Sequence, residues 1–117
     1  MPQIVRAFPV LPGMEGKVRD LARALAGPRA EQAAAFYAKF GVSHESWHLQ
    51  ETPHGTWVIA VSAIDEPQTR AAEYAVSTEE FDRWFKTTVL ELCGIDPATQ
   101  PLGPPTEAIF EWPRAGR

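Results

Sequence analysis

Residues 56–64 read TWVIAVSAI, a β-branched and aromatic run that predicts a strand. A strand this apolar needs a neighbour for its backbone groups and a cover for its side chains. The nearest candidate is residues 43–52, joined to it by Pro53, His54 and Gly55. The tetrapeptide TPHG at 52–55 has the form of a type I turn with proline second and a left-handed glycine, which predicts a three-residue hairpin loop. That loop would pair Thr52 with Thr56, Gln50 with Val58, His48 with Ala60, and Ser46 with Ser62. One face would then collect Trp47, Leu49, Trp57, Ile59 and Val61, and the other Ser46, His48, Gln50, Val58, Ala60 and Ser62. A two-residue His54-Gly55 turn would instead mix His48 and Gln50 with Trp57 and Ile59. The register that keeps the faces separate is the expected one.

The same stretch contains His44-Glu45-Ser46-Trp47-His48, a literal H-E-x-x-H. In zinc peptidases this string is helical, so that both histidines share one face about 6 Å apart with the glutamate beside them. In a strand they would stand about 13 Å apart, too far to share one zinc ion. Only eleven residues, 42–52, separate Gly41 from the turn at Pro53, and the 56–64 strand needs a partner. The strand reading is therefore preferred, and a zinc hydrolase through His44, Glu45 and His48 stays as the lesser alternative. No metal ligand set is assigned, and no cofactor is expected.

Around this hairpin the other elements fall into order. Residues 3–10 (QIVRAFPV) predict a strand. Met14, Val18, Leu21, Ala22 and Leu25 recur at helical spacing over 14–26, and Gly27-Pro28 interrupts that helix. A second helical stretch spans 29–40, with Ala33, Phe36, Tyr37 and Phe40 on one face and Gly41 placed to end it. A short helix is expected over 68–75. Ser77-Thr78-Glu79-Glu80 has the form of a capping box opening a helix over 78–93, with Gly94 ending it. A proline-rich loop follows over 95–105, then a last short strand at 107–112 (EAIFEW), and residues 113–117 are expected to fray. The whole predicts one α+β domain over 1–117. Its order is ferredoxin-like β-α-β-β-α-β, with a broken first helix and a four-stranded antiparallel sheet.

With 117 residues and a net charge of −4, the chain is long enough for one core and lacks the basic character that nucleic acid or anionic membrane would select. It has no apolar run near the roughly 20 residues of a membrane span, and MPQIVRAFPV does not read as a signal peptide. The single cysteine, Cys93, cannot form an internal disulfide and suits a reducing cytoplasm. It is expected to be an inert, half-buried thiol.

The pattern G-V-x-x-E-S-W-x-L-Q-E-T over 41–52, then the apolar strand, Asp65-Glu66-Pro67, and S-x-x-x-F-D-x-W-F over 77–85 resembles a family of small uncharacterised bacterial proteins. These are similar to ferredoxin-like domains of the dimeric α/β-barrel superfamily. The resemblance spans roughly residues 3–112. It implies a homodimer whose two sheets face each other. Members of the wider superfamily include cofactor-free monooxygenases, lactone isomerases, haem-dependent enzymes and plain ligand binders, so fold alone does not choose a chemistry.

Of the individual residues, His48 is the candidate catalytic base or hydrogen-bond donor. With Arg6, Ser46 and Gln50 it forms the expected ligand-binding set; a polar residue satisfied within a dimer interface is the alternative. Arg6 could also pair with Glu107 or Glu111, and Glu45 could be buried against a helix beside a basic group. His44 and His54 are expected to be exposed. The tryptophans are expected in the core or interface rather than as stacking platforms. Tyr37 and Tyr74 carry hydroxyls that could serve a site but sit on helical faces. The expected function is that of a small, soluble, dimeric ligand-binding or accessory protein. A cofactor-independent monooxygenase or isomerase on a small aromatic or polyketide-like substrate is the main alternative.

Overall fold

The computed structural model describes residues 3–97, 99 and 106–113. Its elements run β1 (Gln3–Pro9), α1 (Glu15–Ala26), α2 (Ala30–Lys39), β2 (Val42–Thr52), β3 (Gly55–Ile64), α3 (Pro67–Val76) and α4 (Glu80–Cys93). The strands form a three-stranded sheet in the order β1-β3-β2, with β3 antiparallel to both neighbours. This is the split βαβ arrangement: β1 and β2 run parallel, and the later strand β3 lies between them.

Two expectations about the sheet need correction. The predicted four-stranded sheet is a three-stranded one, because residues 107–112 are exposed and join no ladder. Thr106 bonds to the outer edge of β1, its N–H and hydroxyl both donating to the Val5 carbonyl at 2.9 and 2.7 Å. Beyond it, Ile109, Phe110 and Trp112 are 88%, 83% and 84% exposed. Alternation in EAIFEW supplies a strand-like pattern but not a partner. Of the proline-rich 95–105 stretch only residues 95–97 and 99 are described, and of the tail 113–117 only Pro113.

The second correction is the hairpin register. Thr52 pairs with Gly55, so the loop contains only Pro53 and His54. The Thr52 hydroxyl accepts from the His54 N–H (3.1 Å) and donates to the Gly55 carbonyl (2.8 Å), closing the loop one residue earlier than expected. Gly55 has φ +119°, which its missing Cβ permits, and serves as the first residue of β3 rather than as the loop's last. The register therefore moves by one, and Trp57, Ile59 and Val61 change faces.

All the core lies on one side of the sheet. Phe8 and Val58 meet Val18 and Leu21 of α1, Phe36 of α2, and Phe85, Val89 and Leu92 of α4, with Trp47, Leu49, Ala60 and Tyr74 of α3 packed against them. Phe36 is the hub of an aromatic cluster, with Tyr37, Phe40, Tyr74, Phe81 and Phe85 rings centred 5.1–5.6 Å away.

The Ser77–Glu80 capping box does not form. Glu79 is the N-cap of α4, and the Ser77 hydroxyl donates to the buried carboxylate of Asp82 instead. Asp82 also accepts from Lys39 Nζ at 2.6 Å, which ties α2 to the start of α4. Burial works to lower the Lys39 pKa, but its hydrogen bonds to Asp82 and Glu79 outweigh this and raise it. The buried Lys86 donates to the carbonyls of Ala75 (3.0 Å) and Ser77 (2.9 Å), satisfying the end of α3.

Candidate functional site

Across the helix-covered face of the sheet, side chains line up in three rows set by the register. Phe8, Val58 and Leu49 form one, Arg6, Ala60 and Trp47 the next, and Ile4, Ser62 and Glu45 the third. The middle row has a small residue between two large ones. Ala60 leaves room there, and a cavity of about 170 Å³ lies between sheet and helices. Arg6, Tyr37, Glu45, Arg70 and Tyr74 reach it among a mostly apolar lining that includes Phe8, Phe36, Trp47 and Phe85.

Glu45 reaches this cavity by strand alternation with Trp47 and Leu49, and a β-bulge brings Val42 to the same side. Val42 pairs with Ile64 and His44 with Ala63, so Ser43 is an extra residue between them. In a regular strand Val42 and Glu45 would point to opposite faces; the inserted residue puts both on the cavity side. The Glu45 carboxylate accepts from Ser62 Oγ at 2.5 Å and from Trp47 Nε1 at 2.7 Å. Burial pushes its pKa up, and the Ser62 and Trp47 hydrogen bonds and the Arg6 and His44 charges only partly offset this. A carboxyl group raised in this way both gives and takes a proton closer to neutral pH.

The two tyrosines come from helical faces that also build the core. Burial raises the Tyr37 and Tyr74 hydroxyl pKa values, with the charge of Glu45 adding to the first and that of Asp82 to the second. Both therefore stay protonated donors. Arg70 of α3 packs against Gly41, where φ is +71° and a Cβ would stand 2.7 Å from Arg70 Nε. Gly41 thus ends α2 as the sequence suggests and also makes room for a guanidinium. Arg6 Nε, Arg70 Nε and Tyr74 Oη are buried without a hydrogen-bond partner among the described residues.

The sequence-derived set is divided by the sheet. Arg6 lines the cavity, while Ser46, His48 and Gln50 lie on the opposite, uncovered face, in rows with Val61, Ile59 and Trp57. There Ser46 Oγ and His48 Nε2 are 3.1 Å apart. His44 and His54 are exposed, as expected. His44 and His48 both point away from the face that carries Glu45, so H-E-x-x-H in β2 does not assemble a peptidase-type zinc site. Glu107 and Glu111 are exposed and make no ion pair with Arg6 among the described residues; the nearby charge is that of Glu45. Cys93 is more buried than expected, its thiol donating to the Val89 carbonyl at 3.0 Å and its pKa pushed up by burial.

Sequence reasoning missed Arg70, Ser62 and the cavity itself. Tyr37 and Tyr74 were visible as hydroxyls on helical faces that could serve a site, and Glu45 as an acid of core parity. What joins them is the packing of α2 and α3 over the sheet, which no local pattern marks.

No protein-family model and no curated protein sequence matches the chain. Among solved structures, an L-rhamnose mutarotase from Formosa agariphila shares the fold, with a TM-score of 0.67 and 15% sequence identity over 95% of this chain and 98% of that one.

Proposed function

We propose that the chain is a small-molecule isomerase that works by proton transfer, with Glu45 as the proton carrier. The observation that carries this is a carboxyl group of raised pKa, oriented by Ser62 and Trp47, in a cavity that also presents Arg6, Tyr37 and Tyr74. The fold shared with a mutarotase supports the class of reaction. Such a reaction moves protons and leaves composition unchanged. In mutarotation an acid protonates the ring oxygen while a base takes the anomeric hydroxyl proton, the ring C–O bond breaks to give the carbonyl, and the protons return on closure. In enolisation a base takes the proton from the carbon beside the carbonyl while an acid protonates the carbonyl oxygen, and reversal returns both. Glu45 with a tyrosine hydroxyl supplies that pair. A cavity of about 170 Å³ is smaller than the roughly 300–1,000 Å³ of drug-sized sites, so the substrate is small.

The test is NMR exchange. L-rhamnose is followed for anomer interconversion, and a small 2-oxo acid for deuterium uptake beside its carbonyl. The wild-type chain is expected to accelerate at least one, and Glu45→Gln to slow it by about 100-fold. Acceleration of neither, or a Glu45→Gln variant as active as wild type, would sink the reading.

A second reading rests on the 3.1 Å contact of Ser46 and His48. Val5, Ala7, Ile59, Val61 and Trp57 share their face with no helix over it. A second copy packed there in a homodimer would enclose His48 as a base, with Ser46 and Gln50 as ligand contacts. Arg6 would then act from the far side of the sheet, through position rather than contact.

A further inference from the structure

Arg6 Nε, Arg70 Nε and Tyr74 Oη are three buried polar atoms around one cavity, each without a partner among the described residues. Two are obligate donors and the third is a donor at ordinary pH. Buried donors are nearly always paired, so together these three call for an acceptor beyond the described residues. Arg70 keeps its Nη1 on Glu73 at 3.2 Å, its Nε packs beside Gly41 where a Cβ is missing, and the residue also lines the cavity. Arg6 has no ion pair within 4.0 Å among the described residues.

We propose that the ligand of this cavity is a small monocarboxylic acid with an apolar body, its carboxylate held by Arg6 and Arg70 and its body against Phe8, Phe36, Trp47 and Phe85. Guanidinium groups match a carboxylate in charge and in planar geometry. A phosphate dianion would bring a second negative charge into a mostly apolar lining that already holds Glu45. A neutral sugar would leave most of its hydroxyls facing aromatic and aliphatic side chains, each an unpaired polar group. The inference deepens the isomerase reading by naming its substrate class; binding of the acid does not depend on the proton transfer.

The experiment is calorimetric titration of the full chain with benzoate and butanoate, and with their uncharged counterparts benzamide and butanamide. At least one acid is expected to bind at least about tenfold more tightly than its amide, the scale of one lost charged hydrogen bond. Arg6→Met is expected to remove that preference. Arg70→Met gives an independent check if the first variant does not fold. Equal binding of acid and amide, binding of neither acid, or an undiminished preference in a folded arginine variant would overturn the proposal. Acid binding without proton transfer to any compound would leave it standing and overturn the isomerase reading. Turnover of L-rhamnose without acid binding would do the reverse.

Discussion

The two faces of the sheet are built from alternate residues of the same three strands, yet they solve opposite problems. The covered face carries Arg6, Glu45 and Ser62 among Phe8, Trp47 and Val58 and holds them half-buried under helices. The uncovered face carries Ser46, His48 and Gln50 among Val5, Ala7, Trp57, Ile59 and Val61 and leaves them in contact with solvent. Charge is thus placed on the side that the helices cover, and apolar surface on the side that they leave open. Burying a charged group costs several kcal/mol unless it is partnered, so the covered face spends stability on polar groups that its own packing does not require. That expense is the ground for the site proposed there, and the apolar excess of the other face is the ground for proposing that a second copy covers it.

Variants at matched positions test this contrast, the largest effects coming from the covered side. Phe36→Ala removes the hub of the aromatic cluster and is expected to cost about 3–5 kcal/mol in urea unfolding. Val58 and Ile59 are consecutive residues on opposite faces. Val58, only 2% exposed, should lose about 2 kcal/mol on truncation to alanine, from its lost methyl groups and the cavity left behind. Ile59→Ala should cost less than about 1 kcal/mol in dilute solution. If two copies join through this face, its cost will grow with protein concentration, because association adds to stability by mass action. A concentration-independent cost, together with a wild-type chain that sediments as a monomer at micromolar concentration, would break the assignment of the open face. Val61→Glu should leave a folded monomer if that assignment is right.

The pH response separates the faces more finely. Folded Glu45 keeps its proton to a higher pH than it does in the unfolded chain, so between the two pKa values the folded state binds more protons. Its contribution to stability is complete below the ordinary value of 4.5 and falls as pH rises through the interval above it. Unfolding midpoints measured from about pH 4 to pH 7 should therefore show a downward component that Glu45→Gln removes. An unchanged slope in the variant would mean that the carboxyl group is solvated. The smallest expected effect is that of His48→Ala on the open face, within about 0.5 kcal/mol in stability and without loss of proton transfer. Loss of activity in that variant would move the site to the other side of the sheet.

Much of this was legible in the chain. Helical spacing located α1, α2 and α4 to within a few residues, since an amphipathic stripe is a local property. Gly41 was read correctly as a helix terminus, for its left-handed backbone, but its second role against Arg70 depends on α3 arriving beside it. The hairpin was legible as a hairpin and misread in register. Separation of polar and apolar residues favoured one pairing, whereas the Thr52 hydroxyl and Gly55 backbone favoured the other, and the local bonds won. The EAIFEW segment has the alternation of a strand and remains unpaired, because pairing is decided by what lies alongside.

Periodicity in this sequence was sufficient for the kinds and order of the elements as far as α4, and it indicated that β2 and β3 lie side by side. Which residues of β3 share a face with those of β2 was beyond it. A single residue of register, and a single inserted residue at Ser43, invert the side chain's side of the sheet while changing composition and pattern not at all. His48 and Glu45 are three residues apart in the chain, and the fold sends one to the open surface and the other into a cavity beside Arg6 and Arg70. The chemistry follows the second because proton affinity answers to burial and neighbouring charge, which exist only once distant segments have packed together.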